Sequence, residues 1–114
     1  MKIFDYKSGF AHIRFTLPRK TYYNSFKIDT GAIVTVLPKS EFRHFFSSKK
    51  ITDGEKMNLG SASGNNMVGY VHKVILRFVD HNENKIVHIC FYDGIRPLLG
   101  MDIIKKLFVN FFSS

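Results

Sequence analysis

Cysteine is almost absent from this chain, and acidic residues are scarce beside basic ones. A lone Cys90 cannot form an internal disulfide, and with no cysteine pair a zinc knuckle cannot be built. A reducing, cytoplasmic location is the expectation that follows. Long hydrophobic runs are missing too: none approaches the ~18 residues that a membrane-spanning helix needs. The opening Met1-Lys2-Ile3-Phe4-Asp5 does not read as a secretory signal, because an acid interrupts it at once. Nor is there a run of five or six like charges. Basic pairs at Arg19-Lys20, Lys49-Lys50 and Lys105-Lys106 are scattered along the chain. Seventeen Lys and Arg against nine Asp and Glu leave a net charge of +8 and a pI near 9.8. Spread in this way, that charge describes an evenly solvated basic surface, not a nucleic-acid tract.

What remains is ordinary globular material. At 114 residues and 45% hydrophobic, with 23% charged, residues 1–114 read as one domain, which excludes disorder and collagen-like repeats. So small a domain has little room for a deep, self-contained active site. An enzyme of this size would need symmetry to complete it.

Hydrophobic period gives a mainly β chain. Ile13, Phe15 and Leu17 alternate with His12, Arg14 and Thr16, the pattern of a half-buried strand. Residues 18–20 read as a turn and 22–28 as the returning strand, with a third apolar strand at 33–37. After Pro38, the spacing of Phe42, Phe45 and Phe46 predicts a short amphipathic helix opening near Lys39 or Ser40. The small, polar segment 60–66 reads as a hairpin tip between residues 57–59 and a long strand over 69–79. A turn at 80–84 returns a strand over 85–91. A loop at 92–97 then leads to Leu98-Leu99-Gly100 and a second short helix carrying Met101, Ile104, Leu107 and Phe108 on one side. Asp102 sits at its positive N-terminal end, and residues 108–112 read as a closing strand. The expectation is a small closed or semi-closed β fold with two short helices.

The informative stretch is Phe26-Lys27-Ile28-Asp29-Thr30-Gly31-Ala32, which runs into Thr35-Val36-Leu37-Pro38. A carboxylate comes directly off an apolar strand and is followed by a hydroxyl, a glycine and a small residue. Alone, Asp29 reads as the start of an Asx-type turn. Its flanks resemble those of the retropepsin-like aspartic proteases, the single-domain relatives of retroviral protease. Residues 26–32 resemble that family's apolar-x-apolar-Asp-Thr-Gly-Ala signature. Residues 60–70 lie where the family has its flap hairpin. Leu98-Leu99-Gly100, followed by Met101-Asp102-Ile103-Ile104, is similar to its second apolar-apolar-Gly element, which crosses behind the active-site loop. The resemblance spans about residues 10–112.

It implies a closed, β-barrel-like aspartic protease fold and an endopeptidase that hydrolyses extended peptide or protein substrates. Metal-free hydrolysis needs a nucleophilic water and a proton for the nascent oxyanion; two carboxylates sharing one proton supply both. The chain has one Asp-Thr-Gly-Ala, while Asp53-Gly54 and Asp93-Gly94 read as turns. The second carboxylate is therefore expected from Asp29 of another copy across a two-fold axis, making the chain half of a homodimer. Gly31 would let the two loops approach and donate its N–H to the carboxylate. The resemblance implies that Thr30 hydroxyls bond across the dimer. Ala32 keeps the cleft floor small, and Ser61, Ala62, Ser63 and Gly64 of the flap would contact substrate. Gly60, Gly64 and Gly69 would supply the flap's mobility.

Three features depart from the retroviral pattern. The flap is Ser-rich, Ile33 and Val34 stand where acidic residues are common, and the C-terminal strand candidate at 109–112 is short. Cys90, on an alternating strand, reads as a buried structural thiol. His12, His72 and His88 read as ordinary strand histidines without ligand spacing. No metal or cofactor is expected, nor a membrane partner. Two other readings stand beside the protease: a catalytically inactive dimerisation or peptide-binding module of the same fold, and a basic nucleic-acid-binding β domain.

Overall fold

Alternation becomes burial in the second strand. The computed structural model describes residues 4–5, 9–17, 20–60, 66–78 and 84–106. In β2 (Phe10–Thr16), Ala11, Ile13 and Phe15 are buried, whereas Arg14 and Thr16 face solvent. It pairs antiparallel with β3 (Thr21–Ile28) in a register that sets Phe15 opposite Tyr22 and Ala11 opposite Phe26, all four buried. Opposed side chains share a face, so the two strands present one continuous apolar surface. A two-residue strand β1 (Phe4–Asp5) borders β2 on its outer side.

The third apolar strand begins later than its composition suggests. β4 covers Thr35–Pro38, while Ile33 and Val34 form a bend and Ile33 is 86% exposed. The carbonyls of Ala32 and Ile33 accept N–H groups of Met101 and Asp102, so neither joins a strand ladder. Next come a 3-10 turn at Lys39–Glu41 and helix α1 (Phe42–Phe45). Phe42 is buried and Phe45 and Phe46 half-buried, as their spacing predicts. The polar segment beyond holds another 3-10 turn, Ile51–Asp53, where Lys50 N–H donates to Asp53 Oδ2 at 3.0 Å.

β5 (Glu55–Leu59) and β6 (Met67–Phe78) form the hairpin, with Leu59 opposite Met67. Along β6 one face carries His72, Val74 and Leu76 into the main core. The other face covers a smaller apolar cluster at Met67 and Val71, then runs into solvent at Lys73, Ile75 and Arg77. β7 (Asn84–Tyr92) returns antiparallel and is buried on both faces from Ile89 onward. β8 is the pair Leu98–Leu99, and helix α2 occupies residues 101–106. Ile103 and Ile104 are its buried residues, while Met101 packs against the core from the side.

The strand order is β1-β2-β3-β8-β4-β7-β6-β5, and β2 also pairs with β6 at Phe15–Phe78 and Thr16–Arg77. Six strands therefore form a ring around the core. β8 lies between β3 and β4, parallel to the first (Ile28 beside Leu99) and antiparallel to the second (Val36 beside Leu98). Inside the ring sit Phe15, Phe26, Leu37, Leu76, Ile89, Phe91 and Leu99, all with essentially no exposed surface. A second cluster, Val36, Cys90 and Tyr92, lies under the hairpin against Leu59 and Met67.

The architecture is mainly β with short helical segments. Among the described residues no helix is long and apolar enough to cross a membrane. Of the expected turns at 18–20 and 80–84 and the hairpin tip at 60–66, residues 18–19, 80–83 and 61–65 lie outside the described residues, as do Leu107 and the closing strand at 108–112.

Candidate active site

β3 ends at Ile28 and the chain turns at once. Asp29 N–H donates to the Leu99 carbonyl at 3.0 Å, which pins the residue to β8. Its own carbonyl accepts the Ala32 N–H at 3.1 Å, closing a tight turn. Asp29 Oδ1 accepts the Gly31 N–H, also at 3.1 Å. That bond is the Asx-turn contact, and it also orients the carboxylate. A side-chain carboxylate that closes its own turn has little freedom to swing.

The loop then locks onto α2. Ala32 and Ile33 carbonyls accept N–H groups of Met101 and Asp102 at 2.8 and 3.2 Å. These belong to the first turn of a helix, where donors have no intrahelical partner. Behind the loop, Thr35 Oγ1 donates to Asp102 Oδ1 at 2.8 Å and accepts the Gly100 N–H at 3.0 Å. Ile103 N–H donates to the same Asp102 oxygen at 2.8 Å. Asp102 Oδ2 is buried with no hydrogen-bond partner among the described residues. Gly100 itself runs flat against the loop: a Cβ there would stand 2.5 Å from both the carbonyl carbon and the oxygen of Val34. No side chain fits at that distance.

In front of the loop lies a cleft of about 890 Å³, within the usual size range of ligand pockets. Asp29, Gly31 and Ala32 line it, and Met57, Leu59, Gly60 and Met67 of the hairpin face them across it. Val36, Leu98 and Tyr92 supply an apolar wall. Among the lining residues only Lys27, Asp29 and Arg96 are charged. Among the described residues Asp29 is the sole carboxylate lining the cleft. The Tyr92 hydroxyl donates to the Arg96 carbonyl at 2.5 Å, and burial pushes its phenol above the ordinary range.

Three of the residues singled out from sequence, Asp29, Gly31 and Ala32, thus stand together in one cleft, with Thr30 exposed between them. Ser61, Ala62, Ser63 and Gly64 lie outside the described residues. Gly69 differs from expectation. It is buried within β6, where a Cβ would stand 2.3 Å from Cys90 Sγ, so it serves close strand packing and is no hinge. Asp53 closes a 3-10 turn and Asp93 a bend, both outside the cleft. Asp93 pairs with Lys39 at 2.6 Å.

Cys90 is buried, and burial raises its thiol to about 11. His72 is buried among the rings of Phe42, Phe46 and Phe91, and its Nε2–H donates to the Ile51 carbonyl at 2.7 Å. His12 Nδ1 and Ser25 Oγ share a hydrogen bond at 2.7 Å. Among the described residues no three His, Cys, Asp or Glu side chains gather as a metal site.

Sequence reasoning passed over Met57, Leu59, Met67, Tyr92 and Arg96 as cleft residues. For the hairpin a signal existed: Met57, Leu59 and Met67 are the apolar residues of one face on either side of the tip, given the observed register. For Arg96 the signal was its place two residues ahead of Leu98-Leu99-Gly100, on the approach to the same wall. No protein-family model matches the sequence, and no curated protein matches it.

Proposed function

We propose that the chain is a retropepsin-like aspartic endopeptidase whose active form is a homodimer, with Asp29 from each copy activating one water. The observation that carries this reading is a turn-fixed carboxylate, alone of its kind, on the floor of a cleft faced by a β-hairpin. Support also comes from β8, since the resemblance implies an apolar-apolar-Gly element behind the loop and Leu98-Leu99-Gly100 runs there. In the reaction, the ionised carboxylate of the pair takes a proton from water as the oxygen attacks the peptide carbonyl. The protonated one gives its proton to the carbonyl oxygen. One chain brings one carboxylate to the cleft, so the second copy is part of the chemistry. Apolar surface suited to that contact stands beside the cleft, where Ile33 is 86% and Ile95 93% exposed.

Asp29→Asn tests the proposal, because it removes the ionisable group at nearly constant shape. Cleavage of a fluorogenic peptide library should fall by at least about 10³-fold, with an unchanged circular dichroism spectrum and sedimentation coefficient. Mixing the variant into wild-type protein should depress activity beyond simple dilution, since mixed dimers hold half a site. Full cleavage by purified D29N protein would overturn the mechanism. An inactive wild-type protein that binds a statine-type mimic would favour the non-catalytic peptide-binding module of the same fold.

A further inference from the structure

Resting on the endopeptidase reading, we infer that the cleft selects peptides carrying an acidic side chain close to the apolar residues at the scissile bond, and that Arg96 and Lys27 read that acid. The cleft has two kinds of wall. Most of it is aliphatic or thioether surface from Val34, Val36, Met57, Leu59, Met67 and Leu98. Its remaining charged side chains, once Asp29 is set aside for chemistry, are both cations.

Those two cations come from β3 and from the bend before β8, which the strand pairing sets side by side. Lys27 lies beside Leu98 in the β3–β8 register, and its N–H donates to the Pro97 carbonyl at 3.0 Å. Arg96 is the residue immediately before that proline. Its main chain is tied down by the Tyr92 hydroxyl at 2.5 Å. The bend carrying it folds closely over the Tyr92 ring, as a Cβ at Gly94 would stand 2.3 Å from that ring. The Arg96 backbone is therefore fixed while its side chain stays exposed. Among the described residues the ion pairs are Lys39–Asp93 and His44–Glu41, and neither Lys27 nor Arg96 takes part.

An exposed guanidinium on a fixed backbone at the rim of an apolar cleft is suited to a substrate carboxylate, which it can bind through two parallel N–H donors. A basic substrate side chain would meet two like charges there, which adds rejection to selection. The +8 net charge acts in the same direction at longer range, drawing in acidic segments. An extended peptide turns alternate side chains to the same wall, so apolar and acidic residues can occupy the two surfaces at once.

The test uses the full chain and peptides with a fixed apolar pair, identical except for Glu, Gln or Lys placed in turn at each flanking position. Cleavage is read as kcat/KM, and binding to D29N protein by fluorescence anisotropy. At one flanking position or more, the Glu peptide should exceed the Gln peptide by about tenfold, with the Lys peptide lowest and the preference shrinking as salt rises. In R96Q the Glu-to-Gln ratio should fall to within about twofold, and R96E should favour Lys over Glu. K105Q, which removes an exposed cation of α2 outside the cleft, should leave the ratio as in wild type. Binding and cleavage blind to charge at every position, or a Glu preference that survives both R96Q and K27Q, would overturn the inference. Glu-selective binding without cleavage of any peptide would sustain it and sink the endopeptidase reading instead. Peptides that neither bind nor are cut would end both.

Discussion

The two sides of the Asp29 loop are built on opposite terms. Behind it, β8 and α2 hold the chain through backbone bonds at Asp29, Ala32 and Ile33, a Thr35–Asp102 bond and a glycine with no room for a methyl group. In front, Thr30 and Gly31 are exposed, and among the described residues they are restrained by the turn's own bond from Gly31 N–H to Asp29 Oδ1. The glycines mark the contrast. A Cβ at Gly100 would collide with Val34, whereas a Cβ at Gly31 would meet only Asp29 Oδ1 at 3.4 Å, an ordinary contact. Nothing among the described residues requires a glycine at position 31. What the front lacks in internal restraint, a second copy would supply in the proposed dimer.

Paired substitutions should expose that difference most strongly. Gly100→Ala should destabilise the fold by about 1–3 kcal/mol, because backbone must move to admit the methyl group. Gly31→Ala should change stability by less than about 0.5 kcal/mol, yet lose self-association and peptide cleavage. Urea denaturation and sedimentation equilibrium on both variants measure the two effects. Equal destabilisation would break the contrast, and a fully associating G31A protein would count against the shared site.

A loss of stability of similar size is expected at Thr35. Thr35→Val keeps the volume but removes the hydroxyl that links Gly100 to Asp102, leaving a buried N–H without its acceptor. A loss of about 1–3 kcal/mol follows, with a peptide KM altered less than kcat if the loop's geometry is what shifts. Thermal unfolding read beside steady-state kinetics checks both. A stability unchanged within error would mean that the backbone bonds to α2 suffice alone.

Cys90 reports whether the hairpin belongs to the rigid side. Its thiol is pushed up to about 11 by burial and covered by Gly69, so at neutral pH it is protonated and shielded. Alkylation by iodoacetamide should be slow in native protein and rapid in denaturant. Rapid native labelling would place β6 with the mobile front. The smallest effect concerns Lys39–Asp93, exposed and open to salt screening. Lys39 holds the Asp93 carboxyl below its usual range. Its contribution is therefore present above the ordinary carboxylate value, about 3.9, and is lost as pH falls through the lowered one. Lys39→Met should barely move the melting temperature at pH 7, and wild type and variant should converge once pH falls below the lowered Asp93 value.

Much of this was legible in the residues. The alternation in β2 predicts which of its side chains are buried, and the Phe42, Phe45, Phe46 spacing predicts the helix. The start of β4 was not legible, because Ile33 and Val34 have the composition of a strand, but α2 takes the carbonyls of Ala32 and Ile33 and the chain bends there instead. Strand order was hidden as well. A two-residue strand is too short to show any period, and only resemblance suggested that Leu98-Leu99-Gly100 would run behind the loop. The Asp29 turn could be read from its own side chain. The Arg96 rim could not, since its placement depends on a tyrosine hydroxyl four residues away and on the Lys27 N–H of a neighbouring strand, which holds the Pro97 carbonyl.

The insertion of β8 also sets an order of assembly. Gly100 and Asp102 bond to Thr35 across 65 and 67 residues of chain, among the most distant contacts in the molecule. Closing so long a loop adds modestly to the free-energy cost, about 0.6 kcal/mol per doubling, but contacts of high sequence separation form slowly. Hairpins such as β2–β3 and β6–β7 can zip locally and early, leaving β3 and β4 with a vacant slot between them. Until Leu98 and Leu99 fill it, Asp29 has no carbonyl to hold its amide and the cleft has no inner wall. The carboxylate therefore comes into position only once β8 has docked, and a chain that has not reached that point carries the sequence of the site without its shape.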